Sequence, residues 1–183
     1  NVNLGQAIDT GNRIQLVGGR AQANLAVETT GRSPWEMVSA LAGRGDLDVR
    51  DGVLRGLNLS AVANSLQTTD LTKLPNILGL VQELGKDGDT AFSSLTGTYR
   101  IEKGVVRSDD IKLVATGFGA TGTTVTSLPA WITDTRIEAR IAARPEPVPV
   151  GVRLEGPIDD PRKIFDTNAL QSYLAGRVGR GGL

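Results

Sequence analysis

The chain has 183 residues, 20 of them basic and 20 acidic, for a formal net charge of zero, and it carries 23 glycines. That length suits one domain with its own core, and the balanced charge removes the attraction that drives nucleic-acid binding. Histidine and cysteine are both absent, which excludes imidazole and thiolate metal ligands, His-activated nucleophiles and the proton shuttle usual near neutral pH.

Carboxylate-only catalysis would need acids held in a cleft at a defined spacing. The acid pairs here, Asp109-Asp110 and Asp159-Asp160, read instead as solvated turn residues. No enzymatic activity, metal or cofactor is expected. No apolar run approaches the roughly 20 residues of a membrane span, and the start lacks a basic region followed by an apolar stretch. The chain begins inside what reads as a strand, as a fragment of something longer would.

In chain order, Ala21, Ala23, Leu25 and Val27 alternate with Gln22 and Asn24, the period-2 pattern of a half-buried strand. A helix follows at SPWEMVSALAG: Ser33 suits the N-cap, Pro34 the first helical position, Glu36 a capping box and Gly43 the stop. A second helical region is expected from about Ser60 to Leu84, restarting at Pro75, with Leu78, Val81 and Leu84 on one side and Gly85 as its end. Strands then follow at Ala91–Ile101, Val105–Ala115, Ala120–Thr126, Thr135–Ala143 and Val148–Leu154. The ARPEPVP link carries three prolines, which donate nothing to a ladder and suit an edge or a crossover. GPIDDP at 156–161 is a turn signal, and Asp166 or Thr167 caps a short helix bearing Leu170, Tyr173 and Leu174.

One phrase occurs twice, as GDLDVRDGVLR at 45–55 and GTYRIEKGVVR at 97–107. Each copy reads as strand, tight turn and strand. A three-residue loop, Arg50-Asp51-Gly52 in the first copy, that ends in a left-handed glycine permitting a bulge, Gly52 there and Gly104 in the second copy, keeps the apolar positions together. That places Leu47, Val49, Val53, Leu57 and Leu59 on one face, and Tyr99, Ile101, Val105, Ile111 and Leu113 on the other copy's equivalent. Arg55 and Arg107 close both copies on or beside the apolar face. Either their heads reach solvent, or they line a rim where an anionic headgroup docks.

These pieces define an α+β domain spanning 1–183: a curved, mostly antiparallel sheet of glycine-rich meander strands, with a few short helices over one face or end. Their order resembles the C-terminal region of the AsmA family of Gram-negative envelope proteins. The resemblance rests on NVNLGQAI, on LVGGRAQANLAVETTGRSPWEMVSALAGRGDLDVRDGVLRGLNL, on TAFSSLTGTYRIEKGVVRSDDIKLVATGFGATGTTVTSL and on VPVGVRLEGPIDDP, and it covers about residues 1–165.

What the resemblance implies is a non-enzymatic periplasmic domain, tethered to the inner membrane through a segment outside this chain. Such a domain would take part in phospholipid transport and in outer-membrane assembly or integrity. Phospholipid and other envelope proteins are the expected partners. The lipid-facing candidates are Ile137, Ile141, Val148, Val150, Val152 and Leu154, and the headgroup candidates are Arg55 and Arg107. The alternative is a structural cap or protein-interaction module with no lipid contact, using the Pro-rich 144–149 segment and the strand at Asn1 as contact surfaces.

Overall fold

In the computed structural model, residues 2–3, 15–56, 88–142, 147–166, 168 and 172 are described. The helix expected over Ser60–Leu84, the positions Leu57 and Leu59, and Leu170, Tyr173 and Leu174 lie outside them. Asn168 and Ser172 of the expected C-terminal helix are helical, and Asp166 Oδ1 accepts from the Asn168 amide at 2.9 Å. Among the described residues the fold is one ten-stranded sheet with a short helix packed at one end and helical residues again at 168 and 172. The strands are β1 (Val2–Asn3), β2 (Gln15–Val17), β3 (Arg20–Glu28), β4 (Ala42–Arg55), β5 (Asp89–Glu102), β6 (Val105–Ala115), β7 (Phe118–Ser127), β8 (Ile132–Ile141), β9 (Val148–Pro157) and β10 (Arg162–Asp166). All pairings are antiparallel, in the order β1-β3-β4-β5-β6-β7-β8-β9-β10, with β2 alongside β4. The sheet curls strongly into a half-barrel. Lys163 of β10 shows the curl directly, since its Nζ donates to the Gly56 carbonyl beyond the end of β4 at 2.9 Å.

The meander follows from the alternation. β6 spans the expected residues, and β5, β7, β8 and β9 differ from expectation by a few residues at their ends, where strand pairing frays first. Residues 143–146 of the ARPEPVP link lie outside the described residues; the strands on either side of it are antiparallel neighbours, with Ile141 paired to Val148. Pro149 lies within β9, yet β10 pairs with that strand only as far as Gly151. At Pro149 the strand is therefore locally an edge among the described residues, where a missing donor is tolerated. β10 is a strand that the sequence reading left out.

The helix α1 (Pro34–Ser39) forms for the expected reasons. Ser33 Oγ accepts from the Glu36 amide at 3.2 Å, Pro34 occupies the first turn, and Glu36 Oε2 accepts from the Arg32 amide at 2.7 Å. It ends sooner than expected, at Ala40, and Gly43 belongs to β4. There Gly43 faces Val27 of β3 so closely that a Cβ would run into the Ala26 carbonyl. The glycine marks a close approach of strands and not a helix stop.

The two copies of the repeated phrase adopt different structures. The second is a hairpin, but its loop has two residues and not three. Lys103 and Gly104 take φ of 50° and 71°, and Glu102 pairs with Val105, the arrangement of a type I′ turn. The first copy is no hairpin. Residues 45–55 lie inside β4, and the positive φ of 53° belongs to Asp51, while Gly52 pairs in register with Phe92. The local left-handed residue bends β4 without reversing it. Gly18 and Gly19, with φ of 70° and 92°, bend its neighbour at the same level between β2 and β3. Because of the bend, Val49 and Gly52 are both buried, so Leu54 and not Val53 packs against the core.

Candidate functional site

Rows of side chains cross the curled sheet on its apolar face. One runs Ala21–Val49–Leu95–Leu113–Ala120–Ala139–Val150 over seven strands. A second, Ile111–Gly122–Ile137–Val152–Phe165, lies two residues along, and a third joins Ala115, Phe118, Ile141 and Val148 on the other side. Burying each large aliphatic or aromatic side chain contributes about 1.5–3 kcal/mol, so this face holds the fold together whatever else it does. Phe92, Leu113 and Phe118 belong to the same cluster and carry much of its bulk.

All six lipid-facing candidates fall on this face, because residues two apart on a strand share a side. Ile141, Val148, Val150 and Val152 are buried, Ile141 to 0% exposure, whereas Ile137 and Leu154 are partly buried and pack against the cluster.

Toward the other end the same face changes chemistry. Beyond Ile137 and Val152 the row becomes Ser108–Thr124–Thr135–Leu154, and the next is Ile101–Val106–Thr126–Thr133–Gly156. The four threonine hydroxyls bond to one another: Thr124 to Thr135 at 2.6 Å, Thr126 to Thr133 at 2.8 Å, and along each strand at 3.1 Å. Each hydroxyl both donates and accepts, so the network leaves lone pairs for a further polar group. Tyr99 is half-buried at this end, and burial first, then the nearby Asp110 charge, pushes its phenol above the usual range.

Asp110 corrects the reading of Asp109-Asp110 as a turn. The pair sits inside β6, which carries one extra residue against both neighbours between Ser108 and Ile111, a β-bulge. The bulge takes ladder partners from Thr98 of β5, and Asp110 replaces them. Its Oδ1 accepts from the Thr98 amide and its Oδ2 from the Thr98 hydroxyl, both at 2.8 Å, with Ser108 Oγ adding a bond at 3.3 Å. Those bonds, the Thr98 amide first, hold the carboxyl below the usual carboxylate range. Asp159 and Asp160 do occupy a turn, and Asp159 accepts from the Trp131 indole at 3.2 Å.

The two arginines of the repeated phrase are not brought together. Arg55 ends β4 beside Asp89, with Nε 3.1 Å from Oδ1. Arg107 lies near the start of β6, at the opposite end of the strands. It faces away from Val106 and the apolar rows, directly across from Arg100. Gly52 is a seat and not a hinge, because the Phe92 ring lies where its Cβ would be. Gly104 is a hinge as expected, and it also ties three segments together. Its amide donates to Leu41 at 2.8 Å, its carbonyl accepts from Leu128 at 2.9 Å, and a Cβ would meet the Val38 carbonyl and the Pro129 ring. Among the described residues no group of three or more acidic side chains is placed to hold a metal ion, and no helix is long and apolar enough to cross a membrane.

The threonine network went unnoticed in the sequence because it is a property of pairing between β7 and β8. Its signal was present as two Thr-rich runs, TGTTVTS and ITDTR. No family model, curated protein or solved structure matches the chain.

Proposed function

We propose that this chain is a non-enzymatic, lipid-handling module of an AsmA-like periplasmic protein that moves phospholipid and supports outer-membrane assembly. One observation carries the reading: a single curled face grades from Ile, Val and Phe into a hydroxyl-lined end. Acyl chains need a continuous apolar surface, and an ester or glycerol region needs hydroxyl partners beside it. Ile137 and Leu154 stand at the boundary between the two, partly accessible, and are the positions a lipid would reach first.

The test is a photoreactive residue at Leu154 in the chain expressed in a Gram-negative bacterium, with a control at Arg140 on the polar face. Crosslinked phospholipid at Leu154 and none at Arg140 is the expected result. No crosslink at either, with no phospholipid in extracts of the purified chain, would overturn the lipid reading.

A second reading, a cap or docking module without lipid, has its own support. Both tryptophans are exposed, Trp35 at 67% and Trp131 at 52%. The helix and the loop that carry them meet at Gly104. Exposed aromatic side chains at one end of a domain suit a protein partner. Replacing both by alanine should abolish capture of an envelope protein if this end docks, and should leave lipid crosslinking at Leu154 unchanged.

A further inference from the structure

Opposite the apolar face, three arginines stand in one cross-strand row. Arg44 of β4 pairs with Arg100 of β5, which pairs with Arg107 of β6, and all three are exposed. Adjacent strands are about 4.8 Å apart, so three guanidinium groups compete for one neighbourhood. Like charges directly opposite destabilise a sheet.

Several other arginines on this surface are neutralised. Arg20 pairs with Asp51, Arg50 with Asp48, Arg153 with Asp134, and Arg162 with Glu155. No side-chain hydrogen bond or ion pair engages Arg44, Arg100 or Arg107 among the described residues. Asp46, Asp109 and Asp110 line the same concavity, but none of them makes an ion pair with an arginine of the row. Asp46 accepts from Asn24 at 2.9 Å, and Asp110 accepts from Thr98 and Ser108. The row lines a concavity of about 1040 Å³ between β3 and β6.

We propose that Arg44, Arg100 and Arg107 form a binding site for a phosphate group. Planar guanidinium forks match phosphate oxygens two at a time, and side chains from three adjacent strands can converge on a single dianion. A bound phosphate would also remove the repulsion that the empty row carries. The site keeps Arg107 from the sequence reading and gives it Arg44 and Arg100 as companions in place of Arg55. It lies on the face opposite the proposed lipid surface, so either proposal can fail without the other.

The test uses the 183-residue chain and two probes, because the phosphate can belong to a soluble ester or to a lipid headgroup. Glycerol phosphate is titrated by calorimetry, and vesicles of phosphatidylglycerol or of phosphatidylcholine alone are used in flotation. The substitutions are Arg100→Gln alone and Arg44→Gln, Arg100→Gln and Arg107→Gln together. Equal charge is removed in a control carrying Arg20→Gln, Arg140→Gln and Arg162→Gln.

Binding of glycerol phosphate marks a soluble-ester site, and binding only of phosphatidylglycerol vesicles marks a headgroup site; either supports the proposal. Arg100→Gln should weaken whichever binding is seen by about tenfold, and the row variant should abolish it while the control retains it. The row variant should also melt at a higher temperature than the parent without ligand, which guards against loss by misfolding. Binding of neither probe, or equal loss in row and control variants, overturns the site.

Discussion

GDLDVRDGVLR and GTYRIEKGVVR share their glycines and their closing arginine, yet the first stays within β4, bent but not reversed, and the second reverses the chain. The physical difference is one residue. Both copies place the residue before the second glycine in the left-handed region, Asp51 at 53° and Lys103 at 50°. Gly104 follows at 71° and closes a type I′ turn, whereas Gly52 shows no positive φ and continues the strand. Partners decide between them. Gly52 has Phe92 of β5 on one side and the Gly18-Gly19 bend on the other, and that non-local pairing outweighs a local turn preference. Gly104 has its partners, Leu41 and Leu128, where a turn delivers them.

The largest expected break is at Gly104. An alanine there must hold a left-handed backbone, worth about 1–2 kcal/mol, and must push its Cβ into the Val38 carbonyl and the Pro129 ring. A total loss of about 3 kcal/mol is expected from the two together, read from chemical denaturation of Gly104→Ala. A loss under about 1 kcal/mol would mean that the turn relaxes and that α1 is not tied to it.

Gly52 should respond more mildly and for a different reason. Its backbone accepts any residue, so the cost of Gly52→Ala lies in displacing the Phe92 ring, about 2 kcal/mol by the usual penalty for overpacking. Phe92→Leu gives the added methyl room. The double variant should therefore lose less than the sum of the single variants, by about 1 kcal/mol. Strict additivity would show that Gly52 serves the bend and not the ring.

Most of the strand order was legible because alternation survives in β5 to β9: Ile137, Ala139 and Ile141, then Val148, Val150 and Val152, announce their face directly. Asp51-Gly52 misled because Asp-Gly is a strong local turn signal, and nothing in the phrase tells of Phe92. The short β10 was hidden beside the GPIDDP turn. The arginine row was illegible for a further reason. Its alignment of Arg100 with Arg107 depends on the two-residue Lys103-Gly104 turn, and that alignment shifts by one residue at the β6 bulge. Register across strands follows from turn length and bulges, which composition does not reveal.

The bulge gives the next comparison, between a ladder bonded by backbone and one bonded by a carboxylate. Asp110→Asn keeps the shape but weakens the bonds from Thr98, a change of about 0.5–1 kcal/mol for this exposed group. The folded-state value of Asp110 lies below its unfolded one. Its contribution is therefore fully present above about pH 4, where the unfolded carboxyl ionises, and is lost as pH falls through the lower folded value. The stability gap between parent and variant should be widest near neutral pH and close in acid. A gap independent of pH would mean that Asp110 acts through packing and not through its charge.

The smallest effect separates the two left-handed residues themselves. A type I′ turn favours asparagine before glycine, because the short amide tolerates the left-handed region that a lysine side chain disfavours. Lys103→Asn should therefore stabilise the chain by about 0.5 kcal/mol. Asp51 already has a short polar side chain that suits its conformation, and it accepts from Arg20 at 2.7 Å in an exposed pair, a contact of small worth. Asp51→Asn keeps the backbone preference and loses only the charge, so its melting temperature should match the parent's and its dependence on salt should weaken slightly. If Asp51→Asn instead destabilised as much as Lys103→Asn stabilised, the bend in β4 would rest on the Arg20 ion pair and not on the left-handed residue.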